Sequence, residues 1–231
     1  MIGVVQRSLV PLLTLQLWVA AISAVLSFTM TRLLSNGQSA NDAVGLLAFL
    51  GLMATLAIGM LTQAAGVYVA IRDAAGRPTT AKQGLRFAIK LAPALVPAGL
   101  AAGTLTFVGF VLFVIPGLYL TIVFAATLTG VITVERLGVM RCFELVNRRL
   151  WPTARRIIVA VLAGGTYSVI TSYMVSVLST PQSFNEAALE ALFAIPLGVV
   201  AVGITTVSYA ELRFHERSCM LTEQLADQLD R

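Results

Sequence analysis

Charge is what this sequence has least of. Only 12% of its 231 residues are Asp, Glu, Lys or Arg, about half the share found in a soluble domain. So few charges cannot cover a water-soluble surface, and the mean hydropathy of +0.87 points the same way. Lipid must take the place of the missing polar shell. Histidine occurs once, at His215, among Arg213, Glu216 and Arg217. With no second imidazole, a metal site is not expected. The two cysteines, Cys142 and Cys219, cannot form a disulfide framework, and both fall in segments assigned below to the cytoplasm, where free thiols are the ordinary state. A Walker loop, a nucleophile elbow, HExxH and CxxC are all missing. No serine has a base at depth to activate it. The expectation is a protein without catalytic residues, cofactor or metal.

What the chain has instead is long uncharged runs. Leu91 to Val134 is 44 residues without a charge, twice the ~20 needed to cross ~30 Å of hydrocarbon. Ile115-Pro116-Gly117 interrupts it, and Pro116-Gly117 reads as the hinge of a helical hairpin. The other runs repeat that length, giving six spans at about 9–34, 43–71, 91–114, 118–135, 157–178 and 187–212, followed by an acidic amphipathic tail, 214–231. The fold class is therefore an all-α integral membrane protein with six transmembrane helices. The first run is too long for the ~7–15-residue core of a cleavable signal. It is expected to be retained, although Ala21-Ile22-Ser23 has the composition of a cleavage site.

The charges fall between the spans. Lys82, Arg86 and Lys90 recur every four residues while Ala81, Leu85, Ala88 and Ala92 take another face, with Thr79 or Thr80 as cap. That describes a short basic interfacial helix near 78–90. A second such segment, near 138–151, puts Val139, Phe143, Val146 and Leu150 on one stripe and Arg141, Glu144 and Arg148 on another. Glu144 and Arg148 have favourable i,i+4 spacing. Trp151 suits a headgroup boundary, and Pro152 is expected to break the helix before the fifth span. Polar turns at Asn36, Gly37, Ser39, Asn41 and Asp42, and at Thr180–Ser183, close the other ends. With both termini on one side, that side holds fifteen of the sixteen Lys and Arg residues, Arg32 being the exception. The positive-inside rule makes that side cytoplasmic. The net charge of +5 is dispersed around the spans and forms no patch for nucleic acid. The tail repeats Phe214, Leu221, Leu225 and Leu229 at helical spacing, opposite Glu223, Asp227 and Asp230, and could dock on the basic loops.

Spans associate through close packing of small residues. Gly51/Thr55/Gly59, Gly99/Gly103 and Gly117/Thr121/Ala125/Thr129 provide such stripes. In the fifth span Ala160 and Gly164 continue into Ser168, Ser172 and Ser176. That last face is either a packing seam or the polar lining of a path. Glu135 and Glu211 stand at the inner ends of their helices, where snorkelling or pairing with Arg136 or Arg213 accommodates them. Gln16 and Gln63 could bond to each other between the first two spans. Pro93 and Pro97 are expected to kink the third.

Phe113-Val-Ile-Pro116-Gly117-Leu-Tyr-Leu120, the helix closing on Val134-Glu135, the Met140–Arg149 segment and Tyr209-Ala-Glu-Leu-Arg213 resemble the membrane domain of glycerophosphodiester phosphodiesterases. They also resemble stand-alone bacterial inner-membrane proteins related to that domain. The likeness covers roughly Leu85 to Arg213 and implies a six-helix bundle with short cytoplasmic helices. The soluble barrel that carries catalysis in the two-domain relatives is not in this sequence, so no catalytic residue maps onto it. The expected role is non-enzymatic: a scaffold or accessory subunit in envelope lipid or protein handling, in a bacterial plasma membrane. Lys82, Arg86, Lys90, Arg141, Arg148, Arg149, Arg155 and Arg156 would meet anionic headgroups. Another membrane protein, or a second copy of the chain, is the other expected partner. The alternative role is a small transporter or lipid translocator using the Ser168/Ser172/Ser176 face.

Overall fold

The computed structural model describes residues 2–36, 42–136, 138–181, 183–216 and 222–229. Gly37, Ser39, Asn41, Gln182, Arg217, Cys219, Leu221 and Asp230 lie outside the described residues. Among the described residues eight α-helices follow one another: α1 (Ile2–Asn36), α2 (Asp42–Ala74), α3 (Ala81–Leu112), α4 (Val114–Gly130), α5 (Met140–Asn147), α6 (Leu150–Leu178), α7 (Phe184–Glu216) and α8 (Thr222–Leu229). A π-helical turn, Val131–Glu135, extends α4. Six stretches of the described residues are long and apolar enough to cross a membrane, and they fall in α1, α2, α3, α4 with its π turn, α6 and α7. The uncharged runs forecast this because lipid leaves a backbone no hydrogen-bond partner but itself, and a helix is the local way to satisfy it.

Boundaries between elements differ from the sequence reading, each for a local reason. The basic segment near 78–90 is no separate helix. Thr80 is extended (φ −91°, ψ 153°) and donates its N–H to Gln83 Oε1 at 3.1 Å, which starts a helix that nothing stops before Leu112. That helix runs unbroken through Pro93 and Pro97. The hairpin turns at Phe113 (φ −158°, ψ 142°), three residues before Pro116. Pro116 occupies the first turn of α4, where a missing N–H costs nothing. Gly117 serves a close approach, since a Cβ there would lie 2.5 Å from Phe110 Cγ. Pro152 likewise sits in the first turn of α6 and begins that helix instead of ending one.

Gln16 and Gln63 do not bond to each other. Gln16 is buried against Gly198 of α7, and Gln63 Oε1 is buried without a hydrogen-bond partner.

Helices α1, α2 and α7 pack together, α3 pairs with both α2 and α4, and α6 stands at the edge against α7. Burial in α6 is confined to Thr153, Ala154, Ile157 and Val175. The main core gathers at the charged end. It takes Ala64, Val67 and Ile71 from α2, Leu91 and Leu95 from α3, Val123 and Leu128 from α4, Val131 from the π turn, Leu145 from α5, Tyr209 from α7 and Leu225 and Leu229 from α8. The small-residue stripes are used in part. Gly51 meets Met30 and Gly99 meets Met60, whereas Gly59 and Gly103 face open space.

Gly130 faces the rigid ring of the fully buried Tyr209, whose Cγ would lie 2.5 Å from a Cβ at position 130. Gly130→Ala is therefore expected to destabilise the protein by about 1–3 kcal/mol through overpacking. Gly103→Ala should be neutral, or stabilising by up to about 1 kcal/mol through helix propensity. Unfolding of both variants in the same detergent compares them directly; equal stability would show that the α4–α7 contact yields easily.

Candidate functional site: a polar clasp and two lateral grooves

Glu135 closes the last turn of the fourth apolar stretch, and Arg136 after it is left-handed (φ 53°). That reversal turns the Arg136 side chain outward, where it is exposed, and returns the chain to α5 beside the carboxylate it has just passed. Arg141 Nε donates to Glu135 Oε2 at 3.0 Å. Tyr209 O–H donates to Glu135 Oε1 at 2.9 Å. Arg213 Nε lies 3.3 Å from that same oxygen, an ionic contact without hydrogen-bond geometry. Glu216 completes a quartet, accepting from Arg141 Nη2 at 2.6 and 2.7 Å and from Arg213 Nη1 at 3.1 Å. Gln228 of α8 accepts from Arg213 Nη2 at 3.3 Å. Two arginines and two glutamates thus cancel in charge where α4, α5, α7 and α8 meet. Arg213 is only 3% exposed, and a cation buried that deeply needs its partners.

The expected partnerships were partly right. Glu135 does pair with Arg213, but its second cation is Arg141 and not Arg136. Glu211 pairs with Arg156 of α6, not with Arg213. Glu144 pairs with Arg141 at 2.8 Å instead of Arg148, whose guanidinium is 4.0 Å from Glu216. Spacing along one helix could not reveal these choices, because most join residues from different elements. In α8, Asp227 pairs with Arg77, while Leu225 and Leu229 are buried.

Burial by itself would lower the Arg141 pKa. Hydrogen bonds to Glu216, Glu144 and Glu135 outweigh it and hold the guanidinium above its ordinary range. The neighbouring Cys142 is fully buried, and that burial pushes its thiol pKa up. Such a thiol stays protonated and unreactive near neutral pH.

Of the cations assigned to headgroups, Arg141 is taken by the clasp and Arg156 by Glu211. Lys82, Arg86, Lys90, Arg148, Arg149 and Arg155 are exposed. Two apolar grooves open sideways, each with a cation in its lining. One, of about 430 Å³, runs between α6 and α7 along Ala160, Gly164, Leu197 and Val200, and includes Arg156. The other, of about 440 Å³, lies among α1, α2 and α3 along Leu15, Trp18, Ile58 and Leu85, and includes Lys82. Both fall in the size range of small-molecule sites. Both cations stand out in the sequence, whereas the grooves do not, because they need three-dimensional packing. Ser168, Ser172 and Ser176 are exposed on the outside of α6. Ser176 donates to its own helix at Tyr173 O, 2.7 Å away.

No family model, curated protein or solved structure matches the chain.

Two measurements follow. Glu135→Gln and Arg213→Met should each cost about 3–5 kcal/mol by stranding buried charge. The double variant should cost clearly less than their sum, because the two share one network; strict additivity in detergent unfolding would mean the residues do not interact. In a Cys219→Ser background, Cys142 should resist maleimide at pH 7 in the native protein and react fully after denaturation. Rapid native labelling would contradict its burial.

Proposed function

We propose that the protein is a non-enzymatic scaffold or accessory subunit of a bacterial plasma membrane that holds anionic phospholipid along its charged, cytoplasmic end. Both termini lie on that side. The observation that carries this reading is a set of exposed cations, Lys82, Arg86, Lys90, Arg149 and Arg155, with no ionic partner among the described residues. The protein neutralises its buried charges pairwise in the clasp yet leaves these five open. An external anion is the chemically natural complement. The groove among α1, α2 and α3 supports the same reading, since it offers an apolar trough for an acyl chain beside the open Lys82, whereas Arg156 in the other groove is already paired with Glu211. The clasp suits a holding role too: its carboxylates are saturated by arginine and tyrosine, which favours rigidity over proton transfer. Translocation along the Ser168/Ser172/Ser176 face has less behind it, because those hydroxyls are exposed outside the bundle and line neither groove.

Each Lys or Arg near an anionic surface contributes about 1 kcal/mol, about fivefold in affinity. In detergent, phosphatidylglycerol should therefore raise the unfolding midpoint of the protein more than phosphatidylcholine does. Replacing Lys82, Arg86 and Lys90 together by Gln should weaken that response by about a hundredfold in lipid concentration. Equal stabilisation by the neutral and anionic lipids would overturn the proposal.

A further inference from the structure

Helix length and membrane depth are different quantities, and the α3–α4 hairpin separates them. Tyr119 O–H donates to Asn147 Oδ1 at 2.7 Å. The next residues after Asn147 are the exposed Arg148 and Arg149. Tyr119 is therefore level with chain that must stay at the headgroups. Tyr119 is only five positions along from Val114 at the start of α4, a rise of ~8 Å against ~30 Å of hydrocarbon. The remainder of α4, from Ile122 through the π turn, is almost wholly buried in protein.

Exposed apolar side chains give an independent gauge. On α6 the large ones run from Ile158 to Leu178, about the thickness of a bilayer core. On the hairpin, beyond Lys90, they run only from Leu105 to Leu118, up one helix and back down the other. Between Lys90 and Leu105 the exposed residues are small or weakly apolar, such as Pro93, Ala94, Pro97 and Ala101.

The tip itself is built for oil. Positions 107–118 carry no polar side chain, and Ile115 is 82% exposed. By contrast, the α1–α2 and α6–α7 connections are rich in Asn, Ser, Thr and Gln. The single non-helical residue, Phe113, has both backbone groups bonded: its N–H donates to Gly109 O at 3.0 Å and its C=O accepts from Gly117 N–H at 3.3 Å. Pro116 removes one further donor from the turn. A chain reversal in hydrocarbon requires this internal satisfaction, whereas one in water does not.

We infer that α3 and α4 do not cross the bilayer but form a re-entrant wedge, entering from the charged face and ending among the acyl chains of that leaflet. Helices α1, α2, α6 and α7 make the four crossings. The hairpin enters and leaves on one face, so the termini keep the same side whether there are four crossings or six. The wedge asks nothing of the headgroup's charge, but it does fix the hairpin's attitude: Lys90 lies 22 residues, ~33 Å, from Leu112 along α3, so the hairpin enters strongly tilted for Lys90 and Tyr119 to share the headgroup level.

The test uses the full chain in liposomes, in a Cys142→Ala, Cys219→Ala background, with a nitroxide on Ile115→Cys or on Thr180→Cys. Both positions are exposed, so neither label disturbs a packed site. At 115 the wedge requires strong relaxation by oxygen and almost none by a water-soluble nickel chelate, and at 180 it requires the reverse. Lipids with nitroxides at graded depths should place the 115 label within one leaflet. Nickel accessibility at 115 matching that at 180 would overturn the inference, because a hairpin that crosses must surface there. A 115 label located in the leaflet that holds position 180 would overturn it as well.

Discussion

Glu135 is the junction on which the arrangement depends. Its two oxygens receive a phenol from α7 and a guanidinium from α5, with a second guanidinium from α7 in ionic contact. Among the described residues, no other one ties the hairpin by polar contacts to both α7 and α5. The π turn makes this possible: widening the last turn of α4 shifts the carboxylate around the helix relative to a regular α register. The left-handed Arg136 then folds α5 back to meet it. Geometry of this kind stores little energy of its own, because desolvating four charges offsets most of their attraction. What it supplies is a single allowed docking arrangement for α5, α7 and α8.

That arrangement explains why the core lies at the charged end. Between helices in lipid, burying apolar surface gives no advantage over leaving it in acyl chains. At the charged end Leu145, Val131, Tyr209 and Leu225 nonetheless pack as they would in a soluble domain. Helix α6 illustrates the other regime, with a nearly unburied apolar length beyond Ile157. The protein is in effect two materials: a loosely associated frame of apolar helices and a close-packed layer at the charged end, stitched by the clasp.

The sequence made the first material legible and concealed most of the second. Uncharged length identifies the helices because the bilayer enforces it, and small-residue spacing points to real contacts at Gly51 and Gly99 but not to those at Gly66, Gly84 or Gly130. Glu135 was singled out as a carboxylate that needs a cation, and Arg213 was among its expected partners. Arg141 could not be found the same way. On a helical wheel it sits with Glu144 and Arg148 on what reads as a solvated stripe, and only the reversal at Arg136 turns it inward. Pro116 and Pro152 misled for a related reason: proline disfavours the middle of a helix and favours its first turn, and sequence alone does not say which turn a proline occupies.

Short segments of the chain owe their residues to the clasp and to the hairpin turn. Val134-Glu135 and Tyr209 to Arg213 meet through one hydrogen bond and one ion pair, although Glu135 and Tyr209 lie 74 residues apart in sequence. Phe113 to Leu120 holds the whole turn of the hairpin. These pieces do two jobs that constrain sequence tightly: saturating a buried carboxylate, and reversing a chain without exposing backbone donors. Each job depends on particular atoms and not on hydrophobicity alone. Protein chemistry of this sort leaves recognisable words in an otherwise degenerate apolar text, and it does so without implying any reaction.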